Sequence, residues 1–136
     1  MLPRELRLRE NRRFQAVYRR GRSWPDRHLV VHALPSREPG RRFGFVVSKK
    51  VGGAVLRNRV RRLLREACRA LLAGVPSGVD VVIVARAAAA EASLEKLMAE
   101  MRSLFQRAGL SAADPAALYR MPGAGSKARP EGDDGK

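Results

Sequence analysis

The chain has 136 residues, carries 28 lysines and arginines against 13 aspartates and glutamates, and has a formal net charge of +15. This length allows one small domain with one modest core, and the 45% hydrophobic fraction is normal for a globular protein, so it does not imply wholesale disorder. Charge of this sign and size destabilises a compact state unless a polyanion neutralises it, so the composition indicates a polyanionic partner.

The first predicted element is a helix over Arg12–Arg20, with Asn11 as its N-cap and Gly21 as its C-terminal stop. Arginines flank an apolar stripe on this helix. The stripe has i, i+3, i+4 spacing and consists of Phe14, Val17 and Tyr18. This spacing favours packing of the stripe onto a sheet. It leaves open whether the aromatic rings also contact a ligand.

Two strands are predicted after this helix. The first, over Arg22–Asp26, is an edge strand, because Pro25 cannot donate a ladder hydrogen bond. The second, over His28–Leu34, alternates between two faces. One face carries His28, Val30, His32 and Leu34, and the other carries Leu29, Val31 and Ala33. The two histidines lie about 13 Å apart, too far to share a zinc ion, so no metal site is expected. A turn-rich loop over residues 35–42 then joins two antiparallel strands.

The central stretch combines a strand, a glycine pair and a long helix. Phe43, Phe45 and Val47 alternate on one face of the strand, and Gly52-Gly53 allows a tight change of direction. One arc of the helix is apolar: Leu56, Val60, Leu63, Leu64, Ala67, Cys68 and Leu71. The adjacent arc is basic and carries Arg57, Arg61, Arg62, Arg65 and Arg69, with Asn58 among them. Arg59 lies apart from this arc.

The basic arc of the central helix predicts an RNA partner. Like charges at i, i+4, such as Arg57 with Arg61, destabilise an isolated helix by a few tenths of a kcal/mol per pair. A surface selected only for solubility would mix the signs of charge, and only Glu66 opposes the arginines. Guanidinium groups match phosphate geometry and stack on bases, which favours RNA.

The rest of the chain adds core elements. Val79–Ala85 is a strand apolar on nearly both faces and is predicted to be buried, and Ala92–Ala108 is predicted to be a core helix with Gly109 at its C-terminal end. We expect residues 1–110 to form the domain, and residues 111–136 to be a mostly disordered C-terminal extension.

The lone cysteine, Cys68, can form neither an internal disulfide nor a cysteine-based zinc site, and is predicted to be a buried structural thiol. This indicates a reducing compartment. The segment Met1–Asn11 lacks the apolar region of a signal peptide, and no uncharged apolar run approaches the length of a membrane span. A soluble cytoplasmic protein is expected.

The run Lys-Lys-x-Gly-x-Ala-Val-x-Arg-Asn-Arg over residues 49–59, preceded by Ser48 and followed by an Arg-Leu-Leu-Arg helix, closely resembles the protein subunit of bacterial ribonuclease P. The resemblance covers about residues 4–110, and Gly53 departs from it where the family usually carries a polar residue. It implies a single-domain α+β sandwich of order α-β-β-β-α-β-α. The fold would be ribosomal-protein-S5-domain-2-like, with a left-handed βαβ crossover against the general right-handed rule.

The resemblance also implies two RNA-binding sets. The catalytic RNA would bind Ser48, Lys49, Lys50, Arg57, Asn58, Arg59, Arg61, Arg62, Arg65 and Arg69. The 5′ leader of precursor tRNA would lie in a cleft between the first helix and the sheet, lined by Arg12, Arg13, Phe14, Tyr18 and His32. His32 falls where the family usually has a tyrosine.

The implied activity is removal of the leader by an endoribonuclease whose RNA subunit performs catalysis. The protein would supply no catalytic residues, Mg²⁺ would be held mainly by the RNA, and neither an organic cofactor, a membrane nor an obligate protein partner is indicated. Two alternatives remain at this stage. A ribosomal or nucleoid protein would bind RNA or DNA without the catalytic RNA, and a self-sufficient nuclease would cleave alone, although no clustered carboxylates suggest a two-metal site.

Overall fold

The computed structural model describes residues 6–110. Its helices are α1 (Asn11–Arg20), α2 (Ala54–Leu71) and α3 (Leu94–Arg107), and its strands are β1 (Arg22–Pro25), β2 (Leu29–Pro35), β3 (Arg41–Val46) and β4 (Val79–Ala85). Short 3-10 turns span Leu72–Gly74 and Ala87–Glu91. The predicted order α-β-β-β-α-β-α is confirmed. The predicted C-terminal extension, residues 111–136, lies outside the described residues.

The four strands form one sheet in the order β1-β2-β4-β3. β1 with β2 and β2 with β4 are antiparallel, whereas β3 and β4 are parallel. The loop over residues 35–42 therefore joins strands that run in opposite directions, as predicted, but β4 lies between them. α2 connects the parallel neighbours β3 and β4, which makes a βαβ unit. The left-handed sense of this crossover stays a prediction.

Helices cover both faces of the sheet. Leu29, Val31 and Ala33 of β2 belong to a core cluster shared with α2 and α3. The opposite face of β2, represented by Val30, packs in a second cluster with Val17 of α1. The predicted division of β2 into two faces is confirmed, and it places α1 across the sheet from α2 and α3.

One prediction about the ends of α1 is wrong in detail, and the other is confirmed. The N-cap is Glu10, which makes no side-chain capping bond, and the predicted N-cap, Asn11, is the first residue of the helix. Gly21 ends the helix directly after Arg20, as predicted, with extended backbone (φ −79°, ψ 179°). Glycine is needed there for a close approach, since a Cβ would lie 2.5 Å from the Val17 carbonyl oxygen and 2.7 Å from that of Ala33.

Candidate nucleic-acid interface

The turn before α2 is built by Ser48 and Gly52. The Ser48 side chain is buried; its Oγ accepts a hydrogen bond from the Lys50 N–H at 3.3 Å, and its carbonyl oxygen accepts one from the Val51 N–H at 3.1 Å. Lys49 and Lys50 are left exposed. Gly52 has φ +153°, and a Cβ there would lie 2.6 Å from Cδ2 of Leu56. Ser48 is therefore placed to shape the turn that presents the two lysines.

The apolar arc of α2 decides which way its arginines point. Val60, Leu64, Ala67 and Cys68 are all buried in the larger core cluster, as predicted. The basic arc consequently faces outward. Its members are either exposed or half-buried: Arg57, Asn58, Arg61, Arg62, Arg65 and Arg69. Arg59, which lies apart from this arc, is also exposed.

Five arginines of α2 have no carboxylate within ion-pair distance among residues 6–110, Arg61 among them. Four of the five also make no side-chain hydrogen bond in that part of the chain, and we call these four the uncompensated arginines. They are Arg57, Arg59, Arg62 and Arg65. By contrast, Arg69 pairs with Glu66 at 2.9 Å. Arg61 donates to Asn58 Oδ1 at 2.9 Å and to the Val47 carbonyl oxygen at 3.4 Å, both neutral acceptors. The helix thus carries concentrated positive charge that the described part of the protein does not neutralise.

A second candidate surface lies where α1 crosses the sheet. The Phe14 ring packs so closely over Gly44 of β3 that a Cβ at Gly44 would overlap it. Tyr18 meets His32 of β2 edge to face, with ring centroids 5.4 Å apart and planes at 73°. Phe14 and Tyr18 are half-buried, so each keeps part of its surface accessible.

His32 is buried. The residue is only 2% exposed, and its imidazole lies against the Tyr18 ring. A base could not stack on this imidazole without moving Tyr18. His32 therefore supports the tyrosine ring from the sheet side, and its assignment to the leader cleft stays a prediction.

The neighbouring arginines of α1, Arg12 and Arg13, differ from each other in exposure and in ion pairing. The Arg12 side chain is 81% exposed and approaches Glu10 at 3.6 Å. The Arg13 side chain is 18% exposed and binds Asp80 at 2.9 Å, Glu10 at 3.0 Å and the carboxylate of Glu38. The hydrogen bond that Arg13 donates to Glu38, together with the bonds to the other two carboxylates, raises the pKa of Arg13 against the effect of burial. Arg12 is available to a ligand, whereas the charge of Arg13 is already compensated within the protein.

Asp80 lies beside these arginines and is not among the predicted site residues, because every other residue of Val79–Ala85 is apolar. Its side chain is 6% exposed and also accepts a bond from Arg42 Nε at 2.7 Å. A buried carboxylate needs charged or hydrogen-bonding partners, so the single acid in Val79–Ala85 was the signal that could have revealed this network. Beside it, a groove of about 410 Å³ runs between α1 and the loop after β2.

The described residues offer no metal centre of their own: within residues 6–110, no three His, Cys, Asp or Glu side chains converge on a point that could hold an ion. In the same part of the chain, no helix has the length and apolar character required to cross a membrane.

Comparison with known proteins gives one consistent result. The family model Ribonuclease P matches residues 2–109. The chain is 44% identical over 110 residues to the Ribonuclease P protein component of Roseiflexus castenholzii, covering 80% of this chain and 90% of that one. It is 41% identical over 105 residues to the one from Bacillus cereus, covering 76% and 91%.

Solved structures agree. The fold matches the RNase P protein of Staphylococcus aureus with a TM-score of 0.72 at 28% identity, over 78% of this chain and 97% of that one. It matches the RNase P protein of Thermotoga maritima with a TM-score of 0.68 at 28% identity, over 74% and 96%.

Proposed function

This chain belongs to the ribonuclease P protein family, and we propose that it binds the catalytic RNA through α2 and the 5′ leader of precursor tRNA through α1. As a ribonuclease P protein component it is part of the ribonuclease P endoribonuclease and acts in tRNA 5′ processing with the ribonuclease P RNA. The finer assignment concerns which surface meets which RNA.

The observation that carries the first assignment is the row of uncompensated arginines on α2. Each is an exposed or half-buried cation with no carboxylate in reach within residues 6–110. Arg57 adds a buried Nε that has no hydrogen-bond acceptor in the same described part of the chain. Phosphate oxygens would supply both the missing charge and the missing acceptors. Lys49 and Lys50, on the turn that leads into α2, extend the same surface.

The second assignment rests on the half-buried aromatic rings of α1. Single-stranded RNA is bound by stacking of its bases on aromatic rings beside cations that track the backbone. Phe14 and Tyr18 supply such rings, and the exposed Arg12 supplies a cation next to them. A leader segment bound here would lie on the face of the sheet opposite α2, so the catalytic RNA and the leader would use separate surfaces.

In this proposal the protein positions RNA and the catalytic RNA performs the reaction. Water attacks the phosphodiester bond, the 3′ oxygen of the leader leaves, and mature tRNA keeps a 5′ phosphate. Mg²⁺, which we expect to be held mainly by the RNA, would supply charge stabilisation for this step. The protein's residues bind and orient the substrate, and the cations of α2 reduce repulsion between the assembled RNAs. We place this activity in the cytoplasm, where a lone buried thiol such as Cys68 stays reduced.

Reconstitution tests the proposal. Cleavage of precursor tRNA is measured with the protein, with the cognate catalytic RNA, and with both, at low Mg²⁺. We expect no cleavage by protein alone, weak cleavage by RNA alone and strong cleavage by the pair. Cleavage by RNA-free protein would instead indicate a self-sufficient nuclease. Absence of any stimulation by the protein would contradict a role in the complex.

A further inference from the structure

Asp80 is the charged member of an otherwise apolar set on the side of β4 that faces α1. Side chains alternate along a strand, and the next two members of this set, Val82 and Val84, pack in the cluster beneath α1. The Asp80 side chain is only 6% exposed. A carboxylate in this position is tolerated only if charged groups bind it.

Two arginines from different elements bind the Asp80 carboxylate. Arg13 of α1 donates from Nη1 to Oδ2 at 2.9 Å, and Arg42 of β3 donates from Nε to Oδ1 at 2.7 Å. Arg42 also donates to the Pro39 carbonyl oxygen at 3.1 Å and to Ser36 Oγ at 3.3 Å. One carboxylate therefore connects β4 to α1, to β3 and to the loop between β2 and β3.

The bond to Arg13 sits directly beside an aromatic ring of the α1 surface. Phe14, the next residue, packs on Gly44, and Gly44 pairs with Val82, two residues beyond Asp80. Apolar packing alone leaves a helix free to slide or rotate by small amounts, whereas a charge-assisted bond between a planar fork and a carboxylate has a defined direction. Fixing a register is the best-attested role of buried ionic groups.

We propose that Asp80 is a positioning residue that holds α1 in the placement required for Phe14 and Tyr18 to contact the leader of precursor tRNA. This inference rests on the proposed function of α1. It assigns Arg13 to the same positioning network and leaves the exposed Arg12 as the cation that meets the RNA.

The test uses the reconstituted holoenzyme and compares its affinities for precursor and mature tRNA. Asp80→Asn keeps the size of the side chain and removes its charge. We expect it to lower the affinity for precursor tRNA by about fivefold or more, the lower end of what one lost stacking contact costs. Affinity for mature tRNA should change less than about twofold. In the Phe14→Ala/Tyr18→Ala background, Asp80→Asn should have no further effect on precursor binding, because it acts through those rings.

Glu100→Gln is the matched control. Glu100 is another poorly exposed carboxylate, but it accepts bonds from the His28 and Leu29 N–H groups and belongs to α3, on the opposite face of the sheet. It should lower the melting temperature without changing the ratio of precursor to mature affinity. An equal change of that ratio in both variants would reduce Asp80 to a general contribution to stability and overturn the inference.

Arg42→Lys keeps the inference testable if Asp80→Asn does not fold. Lysine preserves the charge but cannot bind Asp80 and the loop together, and position 42 lies outside the proposed leader surface. A loss specific to precursor tRNA is expected. If every folded variant of Asp80 and Arg42 keeps the wild-type ratio of precursor to mature tRNA affinity, the inference is overturned. If Phe14→Ala/Tyr18→Ala also leaves discrimination unchanged, the leader surface itself is wrong, which separates the two failures.

Discussion

At the scale of single residues, the adjacent glycines before α2 differ in whether a larger residue can replace them. Gly52 has φ +153° and no space for a Cβ beside Leu56, whereas a Cβ at Gly53 would meet nothing within 4 Å. Gly53 is also the N-cap of α2, where it has no side chain that could cap the helix.

Substitutions at these two glycines should therefore change stability in opposite directions. Gly52→Ala should reduce the free energy of unfolding by about 1–3 kcal/mol through backbone strain and overlap. Gly53→Ser should increase it by about 0.5–1 kcal/mol, because serine caps the helix and restricts the unfolded chain. Denaturant unfolding of the two variants measures this, and equal effects would refute the assignment of the turn.

Cys68 gives a second prediction at this scale. Burial raises the pKa of its thiol to about 12, well above the usual value of about 8.5. In native protein at pH 8, iodoacetamide should therefore modify Cys68 far more slowly than in urea-unfolded protein. Because the pKa is higher in the folded state, the associated stability is complete below about pH 8.5 and is lost as the pH rises toward 12. Rapid alkylation of the native protein would contradict this.

Arg12 and Arg13 show why single-residue roles were harder to predict than elements. Both are arginines at the start of one helix, and the family resemblance implies the same role for both. The difference arises mainly from Glu38 and Asp80, and Asp80 is 67 positions away along the chain. Local pattern contains no information about such a contact, although a lone acid in an apolar strand indicates that some partner exists.

At the scale of elements, α2 was the most predictable part of the molecule. Its apolar arc and its basic arc follow directly from helical periodicity, and burial of Val60 and Leu64 confirms the first. The helix ends were less predictable: the N-cap of α1 is Glu10, one residue before the predicted Asn11. Helix ends fray, so their boundaries vary by one or two residues.

The salt dependence of binding tests the uncompensated arginines. Each phosphate contact contributes about 0.7–0.9 to the slope of log K against log salt. Arg62→Gln/Arg65→Gln should therefore weaken binding of the catalytic RNA and reduce that slope by about 1.4–1.8. Arg107→Gln, a partly exposed arginine on α3, is the control and should leave the slope close to wild type. An unchanged slope for the double variant would exclude these two contacts.

Charge reversal at the start of α2 gives a related prediction. Arg57→Glu/Arg59→Glu should weaken assembly with the catalytic RNA, while the melting curve stays near that of the wild type because the buried face of α2 is unchanged. Arg59 is exposed, so losing the packing of its aliphatic stem should change the stability of the fold only slightly. Normal assembly together with normal melting would rule out this end of α2 as a docking surface.

At the scale of the whole molecule, the sheet separates two surfaces. α2 packs on one face, in the core shared with α3, and α1 packs on the other. The order of elements was predictable from periodicity and turn residues. The insertion of β4 between β2 and β3 was not, because strand order depends on contacts between distant segments that no local pattern records. The separation supports the central claim that one small protein holds the catalytic RNA and its substrate on different faces.

The ratio of precursor to mature tRNA affinity tests that claim most directly. It is measured for holoenzymes containing wild-type protein, Phe14→Ala/Tyr18→Ala, or Arg57→Glu/Arg59→Glu at saturating catalytic RNA, with melting curves beside each. The aromatic variant should bind precursor tRNA about 5- to 150-fold more weakly, the cost of about one lost base stack, and mature tRNA nearly as well as wild type. The arginine variant, once assembled, should keep the wild-type ratio. Equal losses of affinity for precursor and mature tRNA in the aromatic variant, with a large fall in melting temperature, would show that Phe14 and Tyr18 act as ordinary core residues. That result would contradict the account.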